Sequence, residues 1–346
     1  MSAAERDYLI ERVTLASRIG IVLAIIVIAA LISLPWWGES STMRLIVEFI
    51  CYLVLAQMWN LLAGYGGLIS IGQQAFFGIG GYSLFLLANS AGINPFVSIL
   101  CGGLIAAAFA VPTSAVVFRL QGGYFAVGTW VVAEVYRLLV MNAPVLGGGS
   151  GQSLRAMLQF SKSTRESVTY WIALAIAVAG VGLVYWLLRS RLGLALTAIR
   201  DSEAASESQG VDVRRYKLLV YVLAAFGSGL VGALYYINTL RIAPDAAFSI
   251  GWTASIIFIV VIGGIGTIEG PIVGTIVFFL MRELLADYGS WYMIGLGLVA
   301  VVVMVKWPRG IWGFVQQKFD LRFFPVQRRV RFLEPARPDQ PVSLEN

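Results

Sequence analysis

The chain has 346 residues, of which 58% are apolar and 13% charged, with a net charge of +6, two cysteines and no histidine. Soluble domains carry about 25% charge and disordered chains combine low hydrophobicity with high charge, so both classes are excluded. At about 20 residues per span, the length leaves room for eight to ten transmembrane helices. Without histidine there is no Ser/His triad or His-ligated metal. Cys51 and Cys101, both inside apolar runs, are too few for a Cys₄ zinc site and misplaced for a disulfide framework. No catalytic residue and no metal ligand is expected.

Apolar segments fall at 19–38, 44–63, 67–89, 95–118, 121–141, 169–188, 217–238, 252–264, 271–287 and 290–307. The first ends in Pro35-Trp36-Trp37 without a small-residue cleavage site, which reads as a retained helix and not a signal peptide. Basic residues cluster at 6–18 (three), 189–217 (six) and 306–337 (eight), together 17 of the 25. Lys and Arg mark cytoplasmic loops. Placing all three clusters inside requires even span counts between them, and counting 252–264 and 271–287 separately satisfies this. The expected organisation is a cytoplasmic tail over 1–18, a membrane body over 19–307 with a cytoplasmic loop at 189–216, and a cytoplasmic tail over 308–346 whose last dozen residues read as disordered. The basic charge then serves topology and anionic lipid, not nucleic acid. Loop 142–168 falls outside. Its run Gly147-Gly148-Gly149-Ser150-Gly151-Gln152 lacks the lysine of a phosphate-binding P-loop.

Two segments are interrupted. Asn60 to Gly81 contains seven glycines, each costing about 1 kcal/mol in a helix interior. Broken helices in membranes line water-filled cavities or lie buried in protein. Asn60, Ser70, Gln73 and Gln74 add hydrogen-bonding side chains that suit either a translocation path or helix–helix packing. The second break is Gly263-Gly264-Ile265-Gly266. Paired breaks in two halves of a transporter mark a transport path. Glu269, just before Pro271, is either a helix N-terminal acid or faces a cytoplasmic vestibule. Glu134 and Arg137 share a helix face as a local ion pair or as a polar cavity wall. Glu48, one turn past Arg44, is snorkelling or paired. Candidate path residues are Asn60, Ser70, Gln73, Gln74, Tyr124, Thr129, Glu134, Gly263, Gly264 and Gly266.

In loop 189–216, Leu192, Leu196 and Ile199 form one apolar helix face, Asp201-Ser202 can cap a second short helix, and Gly210 can end it. Two short amphipathic helices make a docking surface. Glu203-Ala204-Ala205 followed by Gly210 resembles the EAA loop of ABC importer permeases. NLLAGYGGLISIGQQAFFGIGGY, GGYFAVGTWVVAEVYRLLVMN, GGGSGQSL, RLGLALTAIRDSEAASESQGVDVRRYKL and VIGGIGTIEGPIVG occur in this order. Together they resemble the M-type permease subunit of the branched-chain, or hydrophobic, amino-acid importer family over about residues 40–310.

The resemblance implies an all-α polytopic permease of the bacterial inner membrane with about ten segments, some broken or re-entrant, and a cytoplasmic coupling loop. It also implies a heterodimer with a related permease subunit, two cytoplasmic ATPase subunits that carry ATP and magnesium, and an external substrate-binding protein. ATPase contact is then assigned to Ile199, Arg200, Asp201, Ser202, Glu203, Ala204, Ala205, Glu207 and Gly210. Many members carry Gly-His where this chain has Gly72-Gln73, so a group able to become cationic is lost there. The chain itself is expected to bind no cofactor and catalyse nothing. The alternatives are a urea or short-amide importer of the same family, or an ion-coupled secondary transporter acting alone.

Overall fold

A computed structural model describes residues 8–11, 15–285, 291–319, 321, 323–325 and 329–332. Each of the ten apolar segments contains a helix: α1 (Leu15–Ser33), α2 (Ser40–Asn60), α3 (Gln73–Asn89), α4 (Pro95–Val117), α5 (Gly123–Met141), α6 (Lys162–Arg189), α9 (Val213–Thr239), α11 (Ile250–Gly263), α12 (Glu269–Leu284) and α13 (Trp291–Lys306). Short helices α7 (Arg191–Asp201) and α8 (Glu203–Ser208) form the basic loop, α10 (Pro244–Ala247) precedes α11, and α14 (Gly310–Phe319) follows α13. Among the described residues, eight helical stretches are long and apolar enough to cross a membrane. Helices α3 and α12, at 17 and 16 residues, are shorter. The chain is a polytopic all-α membrane protein. The expected N-terminal tail, apart from a few residues, and the last dozen residues lie outside the described residues.

Two boundaries differ from those read in the sequence. Helix α6 begins at Lys162, seven residues early, because Ser161 Oγ accepts from Thr164 N at 3.2 Å and caps it. Glu166 is therefore helical, and its carboxylate accepts from Ser40 Oγ at 2.7 Å. Helix α3 starts at Gln73, not near residue 67. Only 61–72 of the glycine-rich stretch is broken, first as a widened turn at Leu61–Tyr65 and then as irregular chain in which Gly67 holds φ +68°. Gly78, Gly80 and Gly81 lie inside regular helix. A Cβ on Gly80 would sit 2.0 Å from Gly229 O, so this glycine lets α3 and α9 pack backbone against backbone.

The core has two centres. Helix α3 is wrapped by α4, α5 and α9, and α2 by α6, α9, α11 and α12. Helices α11 and α12 run antiparallel: a Cβ on Gly263 would meet Gly270 O at 1.9 Å, and one on Gly274 would meet Ile259 O at 1.9 Å. The second break is thus the tight turn of a helical hairpin. Cys51 is fully buried and Cys101 half-buried, both as free thiols.

The basic clusters, as far as they are described, share one end of the bundle. A Cβ on Gly20 of α1 would touch the Phe323 ring. Phe323 N and Phe324 N donate to Glu269 Oε1 at 3.0 and 2.9 Å. Strand β1 (Tyr8–Glu11) pairs antiparallel with β4 (Arg329–Phe332), which brings these two segments together. The 28 residues of α6 separate this end from loop 142–161 by about 42 Å at 1.5 Å per residue. Trp36 and Trp37, 75% and 70% exposed, stand at the far end of α1 as an interfacial belt.

Candidate functional site

The two breaks, about 200 residues apart in sequence, touch. Gln57 Nε2 donates to Ile268 O at 2.7 Å and Asn60 Nδ2 to Thr267 O at 2.8 Å, while Gly266 N donates to Asn60 Oδ1 at 2.8 Å. Gln57 and Asn60, three apart on α2, therefore grip the α11–α12 turn through its main chain. A Cβ on Gly64 would lie 2.6 Å from Gly266 N. Gly266 holds φ +77°, a conformation glycine adopts without steric cost. Sequence reading singled out Asn60 and missed Gln57, although the i, i+3 spacing places both on one face.

Much of the remaining break is bonded inside the chain, as non-helical backbone in a membrane requires. Trp59 Nε1 donates to Ser70 O at 2.8 Å, Gly72 N to Ser70 Oγ at 3.2 Å and Ile71 N to Thr129 Oγ1 at 3.0 Å. Gln73 Nε2 donates to Ser228 Oγ at 2.6 Å and to Ala224 O at 3.2 Å. Gln74 Oε1 accepts from Thr253 Oγ1. Gln73 Oε1 and Gln74 Nε2, both buried, meet no partner within the described chain. A buried polar atom left so costs roughly 1–3 kcal/mol.

Among the candidate path residues, then, Asn60, Ser70, Gln73, Gln74 and Thr129 are buried where α2, α3, α5, α9 and α11 meet. Gly263, Gly264 and Gly266 form the adjoining hairpin turn. Tyr124 stands apart, 79% exposed. Glu134 lies on the outside of α5 and binds Arg137, whose Nε donates to Oε1 at 2.9 Å and to Oε2 at 3.0 Å. Arg137 Nη1 also reaches Asp245 of α10. The local ion pair is real and extends to a second acid. Glu48 pairs with Arg282 of α12 at 2.7 and 3.1 Å and not with Arg44, which lies 3.6 Å from Glu166. Glu269 is the N-terminal acid of α12 and ties down the segment after α14 by accepting the two main-chain hydrogen bonds above.

The basic loop folds as two capped helices. Ser190 Oγ accepts from Leu192 N, Ser202 Oγ accepts from Ala205 N, and Gly210 follows α8 at φ +82°. Leu196 and Ile199 are buried against this chain's own body. Asp201, Ser202, Glu203, Ala204, Ala205, Glu207 and Gly210 are exposed, and Glu203 pairs with Lys217 at the start of α9. Arg200 points the other way. Its Nη1 donates to Gly64 O at 3.0 Å, and a Cβ on Gly266 would lie 3.6 Å from that nitrogen. One guanidinium thus bonds the loop to the first break and lies beside the second.

Residues 41–306 match the family model for the permease component of branched-chain amino acid transport systems. The chain is 28% identical to the high-affinity branched-chain amino acid transport system permease protein LivM of Escherichia coli over 86% of its own length and 76% of that protein's. It is equally 28% identical to LivM of Salmonella typhimurium, over 87% and 76%. With the probable LivM of Methanocaldococcus jannaschii it shares 26% identity over 64% and 69%. No solved structure matches the chain. A bundle of ten apolar helices, two glycine breaks in mutual contact and a doubly capped basic loop accompany a match over most of the length, and the chain belongs to the family of permease components of branched-chain amino acid transport systems.

Proposed function

We propose that this chain forms, with a related permease subunit, the route by which a binding-protein-dependent ABC importer passes branched-chain or other hydrophobic amino acids across the bacterial cytoplasmic membrane. Both chain ends and loop 189–216 face the cytoplasm. Two ATPase subunits dock on the exposed residues of α7 and α8, and an external protein delivers substrate to the opposite face. ATP and magnesium belong to the ATPases, so this chain carries no cofactor and breaks no covalent bond.

One observation carries the reading: Arg200 links the exposed loop to the paired breaks. A rigid lever of this kind lets closure of the ATPases favour one arrangement of the membrane helices and their release the other. Gln73 and Gln74 offer an unpaired acceptor and an unpaired donor at the depth of the breaks, groups that suit a zwitterion with an apolar side chain. Strong fixed charge at that depth would trap it. An ion-coupled carrier acting alone would need a free acid at midplane, and Glu134 is engaged by Arg137.

The test is leucine uptake into proteoliposomes holding the complete complex. Uptake should require ATP inside and the binding protein outside, and should stop when the ATPase lysine that binds phosphate is replaced. Uptake driven by a proton or sodium gradient without ATP would overturn the proposal.

A further inference from the structure

Helices α4 and α6 both pack on α9, and between them lies a groove of about 340 Å³. Buried Val54 and Met58 of α2 and Gly227 of α9 form its floor, and every residue lining it is apolar or glycine. Ala175 and Ala179 of α6, both small and exposed, leave its side open. Along α6 the groove runs from Ile172 to Leu183, about 17 Å at 1.5 Å per residue. That is close to half of a hydrocarbon core about 30 Å thick, the depth of one leaflet. Phe96 and Phe160 meet edge to face at 5.3 Å at the end nearest loop 142–161 and mark its mouth.

The start of α6 continues the same face as charge. Arg165 stands seven residues, or two turns, before Ile172 on one side of the helix, and Lys162 lies a further turn out at the edge of that side. Arg165 is half-buried and Lys162 exposed. Among the described residues, neither side chain meets a carboxylate. Glu166, next in the chain, is turned to α2, where it accepts from Ser40 Oγ and lies 3.6 Å from Arg44. The three basic clusters sit at the other end of α6, about 42 Å away, so this pair is no part of them.

Water has no polar partner in such a groove and does not fill it, so hydrocarbon does. Size decides which hydrocarbon. A helix with its side chains is about 10 Å across and rises 5.4 Å per turn, so one turn occupies roughly 420 Å³, more than the whole groove. A single acyl chain is thinner, and it arrives with a phosphate, an anion that guanidinium and ammonium groups hold well. Arg165 stands about 10 Å beyond Ile172, a gap that the glycerol ester of a phospholipid and the long arginine stem span together.

We propose that this groove holds one acyl chain of a net-anionic phospholipid in the leaflet away from the basic end, with Arg165 and Lys162 on its phosphate. Basic pockets between membrane helices bind anionic head groups in this way. The site lies on the lipid-facing side of this chain and stands apart from the substrate and coupling reading above.

The experiment places the complete complex in phosphatidylcholine nanodiscs with a trace of phosphatidylglycerol that carries a photoreactive group midway along one acyl chain. Cross-linked residues are located by mass spectrometry. Labelling should concentrate on residues 172–183 and 96–100, and a small fraction of unlabelled phosphatidylglycerol should displace it against the excess of phosphatidylcholine. In Lys162→Gln/Arg165→Gln, groove labelling should fall at least fivefold while total labelling of the complex and recovery of its subunits stay unchanged. Ala179→Leu fills the groove from its open side without touching the charges, and should lower groove labelling as far. If the double charge variant fails to assemble, Lys162→Gln alone decides, with an expected loss of about threefold. Parental labelling no stronger in the groove than along the rest of the chain, as when a helix of another subunit covers it, overturns the proposal. So does groove labelling within twofold of the parent in an assembled charge variant or in Ala179→Leu. Displacement by soluble glycerol phosphate assigns the basic pair to a free anion and overturns it as well.

Discussion

Arg200 donates from Nη1 to the main-chain oxygen of Gly64 at 3.0 Å, and a Cβ on Gly266 would lie only 3.4 Å from that same oxygen. A side chain from the basic loop therefore ends where two interrupted helices meet. Hydrogen bonds to charged groups contribute about 1.5–3 kcal/mol, and each 1.4 kcal/mol is a factor of ten. Arg200→Ala should lower leucine uptake about tenfold or more while ATPase subunits remain bound and continue to hydrolyse. Arg200→Lys keeps the charge but loses the planar fork, and should also be impaired. Parental uptake in Arg200→Ala would remove the lever from the mechanism.

Docking should depend on the face of α8 turned away from the bundle. Ala205→Trp adds bulk there and Glu207→Arg reverses an exposed charge, while neither side chain is bonded to the body. Glu203 is a poorer probe because it holds Lys217. In pull-downs through a tag on this chain, both variants should recover several-fold less ATPase and show reduced uptake. Full recovery from both would place the ATPase contact elsewhere.

Topology can be read with single cysteines at Ser163 and Ser208, both exposed and at opposite ends of the bundle. In a background lacking Cys51 and Cys101, an impermeant thiol reagent added to spheroplasts should label position 163 and spare 208. The reverse pattern would invert the orientation.

Glycine packing should divide sharply by site. Gly80→Val puts its Cβ about where Gly229 O already sits. Backbone cannot yield as a side chain can, so the variant should lose more than the 1–3 kcal/mol typical of overpacking and fail to accumulate in the membrane. Gly182, on α6, has open space where a Cβ would stand, with no neighbouring atom within 4 Å. Gly182→Ala should be neutral or gain up to about 1 kcal/mol. Abundance in the membrane reads the first variant, and thermal unfolding of the detergent-solubilised protein reads the second.

For the route, Gln73→Leu and Gln74→Leu are near-isosteric and remove only polar atoms. Each should assemble normally and take up leucine at a rate reduced several-fold, with ATP hydrolysis retained. Gly264 is a poor site for an obstruction test because it holds φ +132°, where any side chain is strained. Parental uptake in both glutamine variants would leave these residues as packing elements.

Composition determined that this is a membrane protein, because 58% apolar residues and 13% charge leave no soluble alternative, and apolar runs of about 20 residues made it helical. Basic clustering and even span counts gave an arrangement in which the described parts of all three clusters meet at one end. Local patterns were equally legible: the Ser202 cap, the Gly210 stop and the apolar stripe of α7 depend on residues within a few positions of one another. What the stripe packs against did not show in sequence, so Ile199 read as a docking residue although it is buried against its own chain. Glycines that break a helix and glycines that pack one look alike in a string of residues. Only the neighbouring backbone, Gly229 beside Gly80 or Gly266 beside Gly64, tells them apart. The contact between the two breaks, the grip of Gln57 and Asn60 and the Glu48–Arg282 pair all join segments separated by about 205 to 235 residues. No periodicity spans such distances, and these pairings follow from how the helices pack.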